Sequence, residues 1–252
     1  DALTYAGSLA NLEFVKGDSR HRFVQADIRD EEVMLSVMRA EKPDCVVHFA
    51  AESHVDRSIE SAAIFESVNV GGTLSLLEAI RKYLDEREER REGFRFIHIS
   101  TDEVYGDLPI EDTQTRFKED APLRPSSPYA ASKAASDMFV LSYVRTYGLP
   151  AVIVRMCNNY GPRQHCEKFI PHMIQCAWPA RHCRCMAREK TCGNGSMWKT
   201  LVARLRRLPS AAARARFTTF RATTRARTSR LRSYCASNAA LRGGAQYAAA
   251  ND

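Results

Sequence analysis

The chain has 252 residues and a formal net charge of +7 at pH 7, and 44% of its residues are hydrophobic. This length can bury a sizeable single core, and no signal peptide or run of about 18 apolar residues is visible, so we expect neither secretion nor a membrane span. The cysteines of the first 177 residues have no disulfide pattern, so we expect a soluble cytoplasmic protein in a reducing compartment: Cys45, Cys157, Cys166 and Cys176.

Strand and helix patterns alternate along the first two thirds of the chain. Short apolar runs predict strands at residues 22–26, 45–50, 94–99 and 151–155. Helical patterns cover residues 31–40, with Asp30 as a candidate N-cap, and then residues 72–84 and 127–147. The alternation predicts an α/β fold with a Rossmann-like, doubly wound parallel sheet.

Three polar residues follow the run 94–99, at the point where a buried strand is predicted to end. Thr101, Asp102 and Glu103 would then lie at the carboxyl edge of the sheet, where open α/β sheets bind their ligands. Taken alone, the two acidic residues could equally belong to an ordinary polar turn.

Tyr129 and Lys133 are four residues apart near the start of the helix 127–147, so both side chains lie on one face. A free tyrosine has a pKa near ~10 and is a poor base at neutral pH, but a nearby ammonium favours the phenolate. A Tyr-x-x-x-Lys pair also occurs on ordinary amphipathic helices. Its combination with the Thr-Asp-Glu triplet is what indicates an active site.

These motifs resemble those of the extended short-chain dehydrogenase/reductases and, within them, the dTDP-glucose 4,6-dehydratases. Matching strings run in that family's order and spacing from residue 1 to about residue 177: 1–7, 26–28, 48–58, 69–73, 100–108, 125–133 and 158–162. The Thr-Asp-Glu triplet distinguishes the dehydratases from the related sugar-nucleotide epimerases, which usually have small or hydroxyl residues at the two acidic positions.

The resemblance implies a lyase that dehydrates dTDP-glucose to dTDP-4-keto-6-deoxyglucose with NAD, in deoxysugar and rhamnose biosynthesis. Tyr129 would take the proton of the sugar 4-hydroxyl while hydride passes from C4 to NAD, and Lys133 would lower the pKa of Tyr129 and hold the nicotinamide ribose. Glu103 would then remove the C5 proton and a protonated Asp102 would donate to the departing 6-hydroxyl, which needs two carboxyls with different pKa values. Thr101 would hydrogen-bond the sugar near O4, and the hydride would return to C6.

The same resemblance assigns binding roles. Asp1 would accept hydrogen bonds from the adenosine ribose, which favours NAD over NADP, and Asp27 and Ile28 would contact the adenine. The other cofactor-binding residues would be Leu3, Thr4, Ala50, Ala51, Glu52, Ser53, Tyr129, Lys133 and Asn159. The substrate-binding residues would be Ser53, Thr101, Asn158 and Lys168. His48, His54 and His98 share no metal-ligand spacing, so no metal site is expected.

The beginning of the chain departs from the family pattern. It starts at Asp1 without a Gly-x-x-Gly-x-x-Gly string, so we expect the first strand and the phosphate-binding turn to be missing. Such a truncation exposes strand edges and removes core, and we therefore expect folding, NAD binding and activity to be impaired.

An arginine-rich tail at residues 178–252 is the second departure. It holds 14 Arg and 2 Lys against Glu189 and Asp252, and this excess leaves residues 1–177 with a net charge of −7. No apolar period is visible in it, so we expect disorder. The predicted organisation is a partial NAD-binding domain with the catalytic residues at 1–177, followed by a non-native tail that replaces the substrate-binding C-terminal part.

A frameshift would account for this tail. Residues 214–221 can be back-translated into DNA with suitable codons. Read from its third nucleotide, this DNA encodes GEVYNIS, which is close to the family string GEVYNIGG. Residues 193–200 read from the same offset give ERIDVED, which resembles the family string RDWLYVED. Codon choice is free, so one match would mean little, but the two matches lie in order and in one frame. A nucleic-acid-binding arm and a metal knuckle are the alternatives for the tail.

Two other functions compete with a dehydratase. A sister epimerase or decarboxylase would use the same fold without eliminating the 6-hydroxyl, and a non-catalytic fragment could bind nucleic acid through its basic tail. We favour the dehydratase and do not expect nucleic-acid binding. Members of the family are usually homodimers that pair helices, and residues 72–84 and 129–147 are the candidate helices.

Overall fold

The computed structural model describes residues 1–87, 92–108, 115–177, 192–205, 217–220 and 224–227. The chain divides into two compact units, the first made of residues 1–157 and 200–221 and the second of residues 158–199 and 222–252.

The strands in chain order are β1 (Cys45–His48), β2 (Arg95–Thr101), β3 (Ala151–Met156), β4 (Asn158–Tyr160), β5 (Cys192–Met197), β6 (Phe217–Phe220) and β7 (Thr224–Arg227). The α-helices are α1 (Glu31–Glu41), α2 (Val55–Glu60), α3 (Ala62–Phe65), α4 (Gly72–Asp85), α5 (Pro128–Tyr147), α6 (Phe169–Ala177) and α7 (Trp198–Leu205). Short 3-10 turns cover Leu9–Val15 and Asp102–Tyr105, and a π-helical segment, Glu66–Gly71, leads into α4.

The first unit contains a four-stranded parallel sheet in the order β1-β2-β3-β6. β2 is an inner strand whose last residue, Thr101, pairs with Met156 of β3. Parallel strands need crossover connections, and α5 supplies the one between β2 and β3.

Helices cover both faces of this sheet. On one face α1, α4 and α5 pack against alternate residues of β2 and β3, and the centre of that core is almost fully buried: Leu77, Ile80, Phe96, Val140 and Ile153. On the other face, Leu201 of α7 packs against the residues of β2 and β3 whose side chains point the opposite way: Ile97, Ile99, Val152 and Val154. The prediction of a doubly wound parallel sheet is therefore confirmed.

Most predicted elements occur within a residue or two of their expected bounds. Asp30 caps α1, since its side chain accepts a hydrogen bond from the backbone of Val33 at 3.1 Å. The strand predicted at residues 22–26 is wrong, because that segment is not in regular structure. Instead, the Ala26 backbone N–H donates to the Asp1 carbonyl at 3.1 Å, and the Asp1 ammonium donates to the Val24 carbonyl at 3.2 Å.

The continuous helical stretch Ala62–Asp85 is long and apolar enough to cross a membrane by length and composition, with 44% of its most apolar window buried. Its apolar side chains account for much of the core of the first unit, including Phe65, Leu76, Leu77, Ile80 and Leu84. That burial is typical of a core helix and explains the composition without a bilayer.

The second unit contains a three-stranded sheet in the order β4-β5-β7, in which β4 and β5 are parallel and β5 and β7 antiparallel. Within the predicted tail 178–252, regular structure is described for β5, α7, β6 and β7. The rest of that tail lies outside the described residues, so the expectation of disorder is not tested there.

Candidate active site

The Thr-Asp-Glu triplet lies where β2 ends at the carboxyl edge of the sheet. Thr101 is 7% exposed and caps the following 3-10 turn, because its hydroxyl accepts a hydrogen bond from the Glu103 backbone at 3.2 Å. Gly106 ends the turn with a φ of 85°, and a Cβ at that position would lie 2.4 Å from the Arg124 carbonyl oxygen. Only glycine fits there, so this residue is required to end the turn that carries both acidic residues.

Helix α5 presents the second motif. Ser127 is its N-cap, with the hydroxyl accepting a hydrogen bond from the Ala130 backbone at 3.1 Å, and Pro128 occupies the first turn. Tyr129 contacts the ring of Phe65 edge-on, with the centroids 6.3 Å apart. One turn further along, the Lys133 side chain is buried, with 3% exposure.

The structure brings the tyrosine to the triplet. The charges of Glu103 and Asp102 raise the pKa of Tyr129, and a side-chain interaction with Thr101 opposes that rise. A phenol, two carboxyls and a hydroxyl thus lie in one group at the edge of the sheet where open α/β folds bind their ligands.

The pKa values of this group are shifted mainly by burial. Burial raises the pKa of Asp102 to about 6, so this carboxyl keeps its proton to a higher pH than an exposed aspartate does. Burial is also the largest cause of a raised pKa at Tyr129, followed by the charge of Glu103. Lys133 is not among the causes of this shift, so the lowering of the Tyr129 pKa that we expect from Lys133 stays a prediction.

Lys133 carries an unusual ammonium group. Burial lowers its pKa to about 8, while Asp137 acts in the opposite direction. Among the described residues no hydrogen bond or ion pair satisfies its Nζ. A buried cation without a protein acceptor fits a ligand that brings hydroxyl groups, such as the ribose of a nicotinamide dinucleotide.

Asn69 fixes the loop after β1, where four of the predicted binding residues lie: Ala50, Ala51, Glu52 and Ser53. Its side chain accepts from the Glu52 backbone N–H at 2.8 Å and donates to the Glu52 carbonyl at 3.0 Å and to the Ser132 hydroxyl at 2.9 Å. The Ser136 hydroxyl donates to the Asn69 carbonyl at 2.7 Å. The sequence shows Asn69 only as part of a family string, and its bridging role depends on contacts with residues far along the chain.

The predicted adenosine-side residues form a second group. The Asp1 carboxylate accepts from the Leu3 backbone at 2.7 Å, and Asp27 forms an ion pair with Arg29 at 2.7 Å. Ile28 lies so close to α4 that a Cβ at Gly72 would be 2.5 Å from its Cδ1. Thr4 is exposed next to this group.

The remaining predicted residues belong to the second unit. Asn158 and Asn159 form β4, and the Asn159 carbonyl accepts a hydrogen bond from the Gln164 side chain at 3.0 Å. Lys168 lies before α6, with its Nζ 3.8 Å from Glu167. In the described part of the chain, no cluster of three or more His, Cys, Asp or Glu side chains could hold a metal ion.

Comparison with known proteins agrees with this geometry. The sequence profile of the GDP-mannose 4,6-dehydratase family matches residues 1–196. The chain belongs to this family. It is also 53% identical, over 175 residues, to the dTDP-glucose 4,6-dehydratase of Neisseria meningitidis, a match that covers 69% of this chain and 49% of that protein. The chain therefore spans about half the length of the curated relatives it matches, and the resemblance to dTDP-glucose 4,6-dehydratases is confirmed.

Solved structures show the same relationship. A double mutant of the Streptomyces venezuelae dTDP-glucose 4,6-dehydratase, crystallised with NAD, has a TM-score of 0.83 and 36% identity over 93% of this chain and 69% of that one. A UDP-glucose 4-epimerase from Thermus thermophilus, also solved with NAD, has a TM-score of 0.75 and 27% identity over 88% of this chain and 70% of that one. The family fold is thus shared with epimerases, and the site residues must distinguish the two reactions.

Proposed function

We propose that this chain carries the catalytic part of an NAD-dependent dTDP-glucose 4,6-dehydratase, a lyase that forms dTDP-4-keto-6-deoxyglucose. The observation that supports this most is the pair Asp102 and Glu103 beside Tyr129, with the pKa of Asp102 raised to about 6. Loss of water from a sugar needs both a base and an acid at the reacting carbons, and adjacent carboxyls in different environments supply them.

The two carboxyls divide the elimination between them. Burial favours the protonated form of Asp102, which suits it to donate a proton to the departing 6-hydroxyl. Glu103 follows it in the same 3-10 turn and is positioned by its backbone hydrogen bond to Thr101, so its carboxylate can take the C5 proton. A keto group at C4 makes that C5 proton acidic.

Tyr129 is the proposed base for the 4-hydroxyl, and Thr101 the proposed hydrogen-bond partner of the sugar near O4. Because burial raises the pKa of Tyr129, its phenolate must be stabilised when a ligand is bound. The Lys133 ammonium lies one turn further along the same face of α5 and can supply that stabilisation.

The residues present fit NAD. Lys133 would hold the nicotinamide ribose, Asp1 the adenosine ribose, and Ile28 with Asp27 the adenine. The remaining proposed contacts are Leu3, Thr4, Ala50, Ala51, Glu52, Ser53 and Asn159. When bound, NAD supplies a hydride acceptor that is regenerated in each turnover.

The proposed substrate is a dTDP-sugar, with Ser53, Asn158 and Lys168 as further contacts. We propose a homodimer in the cytoplasm, without nucleic-acid or membrane partners. Exposed Met138, Phe139 and Tyr147 on α5 agree with helix pairing between subunits.

We also propose that residues 178–252 are a frameshifted reading of the family's C-terminal part. β6 (Phe217–Phe220) adds a parallel strand next to β3. It lies within residues 214–221, for which the shifted frame gives the strand-like string GEVYNIS. The support for the proposal is that two family-like strings lie in order and in one shifted frame.

A graft tests the proposed reaction independently of the tail. Residues 1–177 replace the matching stretch of the Neisseria meningitidis enzyme, and the product from dTDP-glucose and NAD is identified by mass spectrometry. We expect a product lighter by one water, and we expect E103Q and D102N to lower its rate by about 100-fold or more.

The epimerase alternative gives a different result in the same experiment. An epimerase would return a product of unchanged mass, and the two carboxyl variants would not affect water loss. A folded graft that binds NAD and forms only an isomer would contradict the proposed dehydration.

A further inference from the structure

A buried charge cluster lies where α5 meets β2 and β3, and the proposed reaction steps do not use it. It consists of Asp137 on α5, Arg155 on β3 and His98 on β2, which are 0%, 2% and 0% exposed. Arg155 Nε donates to Asp137 Oδ2 at 2.8 Å, and His98 Nε2 lies 3.5 Å from Asp137 Oδ1. Removing such charges from water is costly, and a well-packed apolar cluster would usually serve stability as well.

Asp137 also belongs to the face of α5 that carries the proposed catalytic pair. Residues 129, 133 and 137 are spaced by four, so Tyr129, Lys133 and Asp137 follow one another along one side of the helix. Lys133 thus lies between the tyrosine and a carboxylate that Arg155 holds from the neighbouring strand.

We propose that Asp137 is a positioning residue, which acts through Lys133 to keep that side chain a charged ammonium beside Tyr129. This inference rests on the proposed role of the Tyr129–Lys133 pair. Arg155 holds the carboxylate in place and is itself held by the Tyr105 hydroxyl at 2.9 Å. Asp137 would touch neither sugar nor dinucleotide.

The charges facing these groups are consistent with that role. Lys133 from the same helix, His98 from β2 and Arg155 from β3 face Asp137, and His48 from β1 also lies within the electrostatic range of Lys133. Burial alone would raise the pKa of Asp137, but His98 and Arg155 lower it overall, so the carboxylate stays ionised. Burial lowers the pKa of His98 to about 4, which makes it neutral at pH 7. Asp137 is therefore the counter-ion shared by two buried cations.

A purely structural role would give the same contacts, because Asp137 and Arg155 also tie α5 to β3. The two roles differ in the effect on Lys133. Loss of the Asp137 charge would leave Lys133 facing only positive and neutral groups, whereas loss of the Arg155 charge would leave its counter-ion in place.

The test measures Lys133 directly in the 252-residue chain, with no substrate or cofactor. Lysine is labelled with ¹³C, the Lys133 signal is assigned by its loss in K133R, and its pKa is read from the pH titration by NMR. In D137N we expect the pKa to fall by about one unit or more, and in R155M we expect it to stay or rise. H98Q is the matched control, because it changes the uncharged neighbour of Asp137 and should leave the pKa of Lys133 unchanged.

Two results would overturn the proposal: an unchanged Lys133 pKa in D137N, or equal falls in D137N and R155M. If D137N does not fold by circular dichroism, the double variant D137N/R155M removes both members of the buried ion pair, and the pKa of Lys133 in it should lie about one unit or more below the pKa in R155M. Equal Lys133 pKa values in R155M and the double variant would overturn the proposal. Since no turnover is measured, a failed dehydratase assay leaves this result intact.

Discussion

Asp102 combines burial with a negative charge, and such a group should cost stability. Its pKa in the folded chain, about 6, is above the ordinary value of 3.8 because burial penalises the carboxylate. The unfolded chain therefore releases this proton at lower pH than the folded chain does. The stability penalty appears as pH rises from about 4 to about 6 and is complete above that.

We therefore expect D102N to stabilise the chain at pH 7 while removing the proposed acid. The shift predicts a gain of roughly 1–3 kcal/mol in the free energy of unfolding at pH 7 and almost none at pH 3.5. Urea denaturation at the two pH values measures it. The control is D120N, at an exposed position, which should change little at either pH. Equal effects of D102N at both pH values would show that the carboxyl is not destabilised by burial.

At the residue scale, the sequence predicts side chains that belong to local motifs. Thr101, Asp102, Glu103, Tyr129 and Lys133 lie in two short strings, and the structure brings the tyrosine to the triplet. His98, Asp137 and Arg155 belong to no such motif, and Asn69 appears only within a family string, without a sign of its bridging role. Their partners are 17 to 67 residues away along the chain, so only the tertiary packing of the first unit reveals them.

At the scale of elements, the close approach of α4 to the segment after Ala26 has a testable consequence. A Cβ at Gly72 would come within 2.5 Å of Ile28 Cδ1 and 2.7 Å of its Cγ1, whereas a Cβ at Gly71 would meet nothing within 4 Å. We expect G72A to lower the free energy of unfolding by about 1–3 kcal/mol, because the overlap outweighs the helix propensity of alanine.

G71A is the matched control for this prediction. It adds the same methyl group one residue earlier and should be neutral or stabilising by up to about 1 kcal/mol. Thermal unfolding of both variants makes the comparison. If G72A is as stable as G71A, the packing of Ile28 on α4 is looser than the structure shows.

Element prediction from the sequence succeeds where an element has its own pattern. The N-cap of Asp30, the run before Thr101 and the start of α5 are local signals, and all three predict the correct boundary to within two residues. The strand at residues 22–26 fails because a strand needs a partner, and this segment makes its few backbone contacts with Asp1. The π-helical segment before α4 has no sequence pattern that distinguishes it from an α-helix.

At the scale of the whole molecule, charge separates the two parts of the chain. Residues 1–177 carry a net −7 and residues 178–252 a net +14. Sequencing of the encoding DNA across codons 170–252 tests the frameshift, and we expect a one-base slip to restore the family's C-terminal strings. If no slip restores them, the basic tail is genuine, and its binding to DNA should then weaken steeply as salt is raised.

We propose that this site removes a proton from C5 of a hexose and expels the 6-hydroxyl. The most direct measurement is the isotope content of the product formed by the graft of residues 1–177 in ²H₂O. If Glu103 takes the C5 proton and exchanges it with solvent, the dehydrated product carries one deuterium at C5, and E103Q loses both deuterium and product. A product without deuterium at C5 would contradict proton removal by a Glu103 that exchanges with solvent, and a product that retains its oxygen at C6 would contradict dehydration.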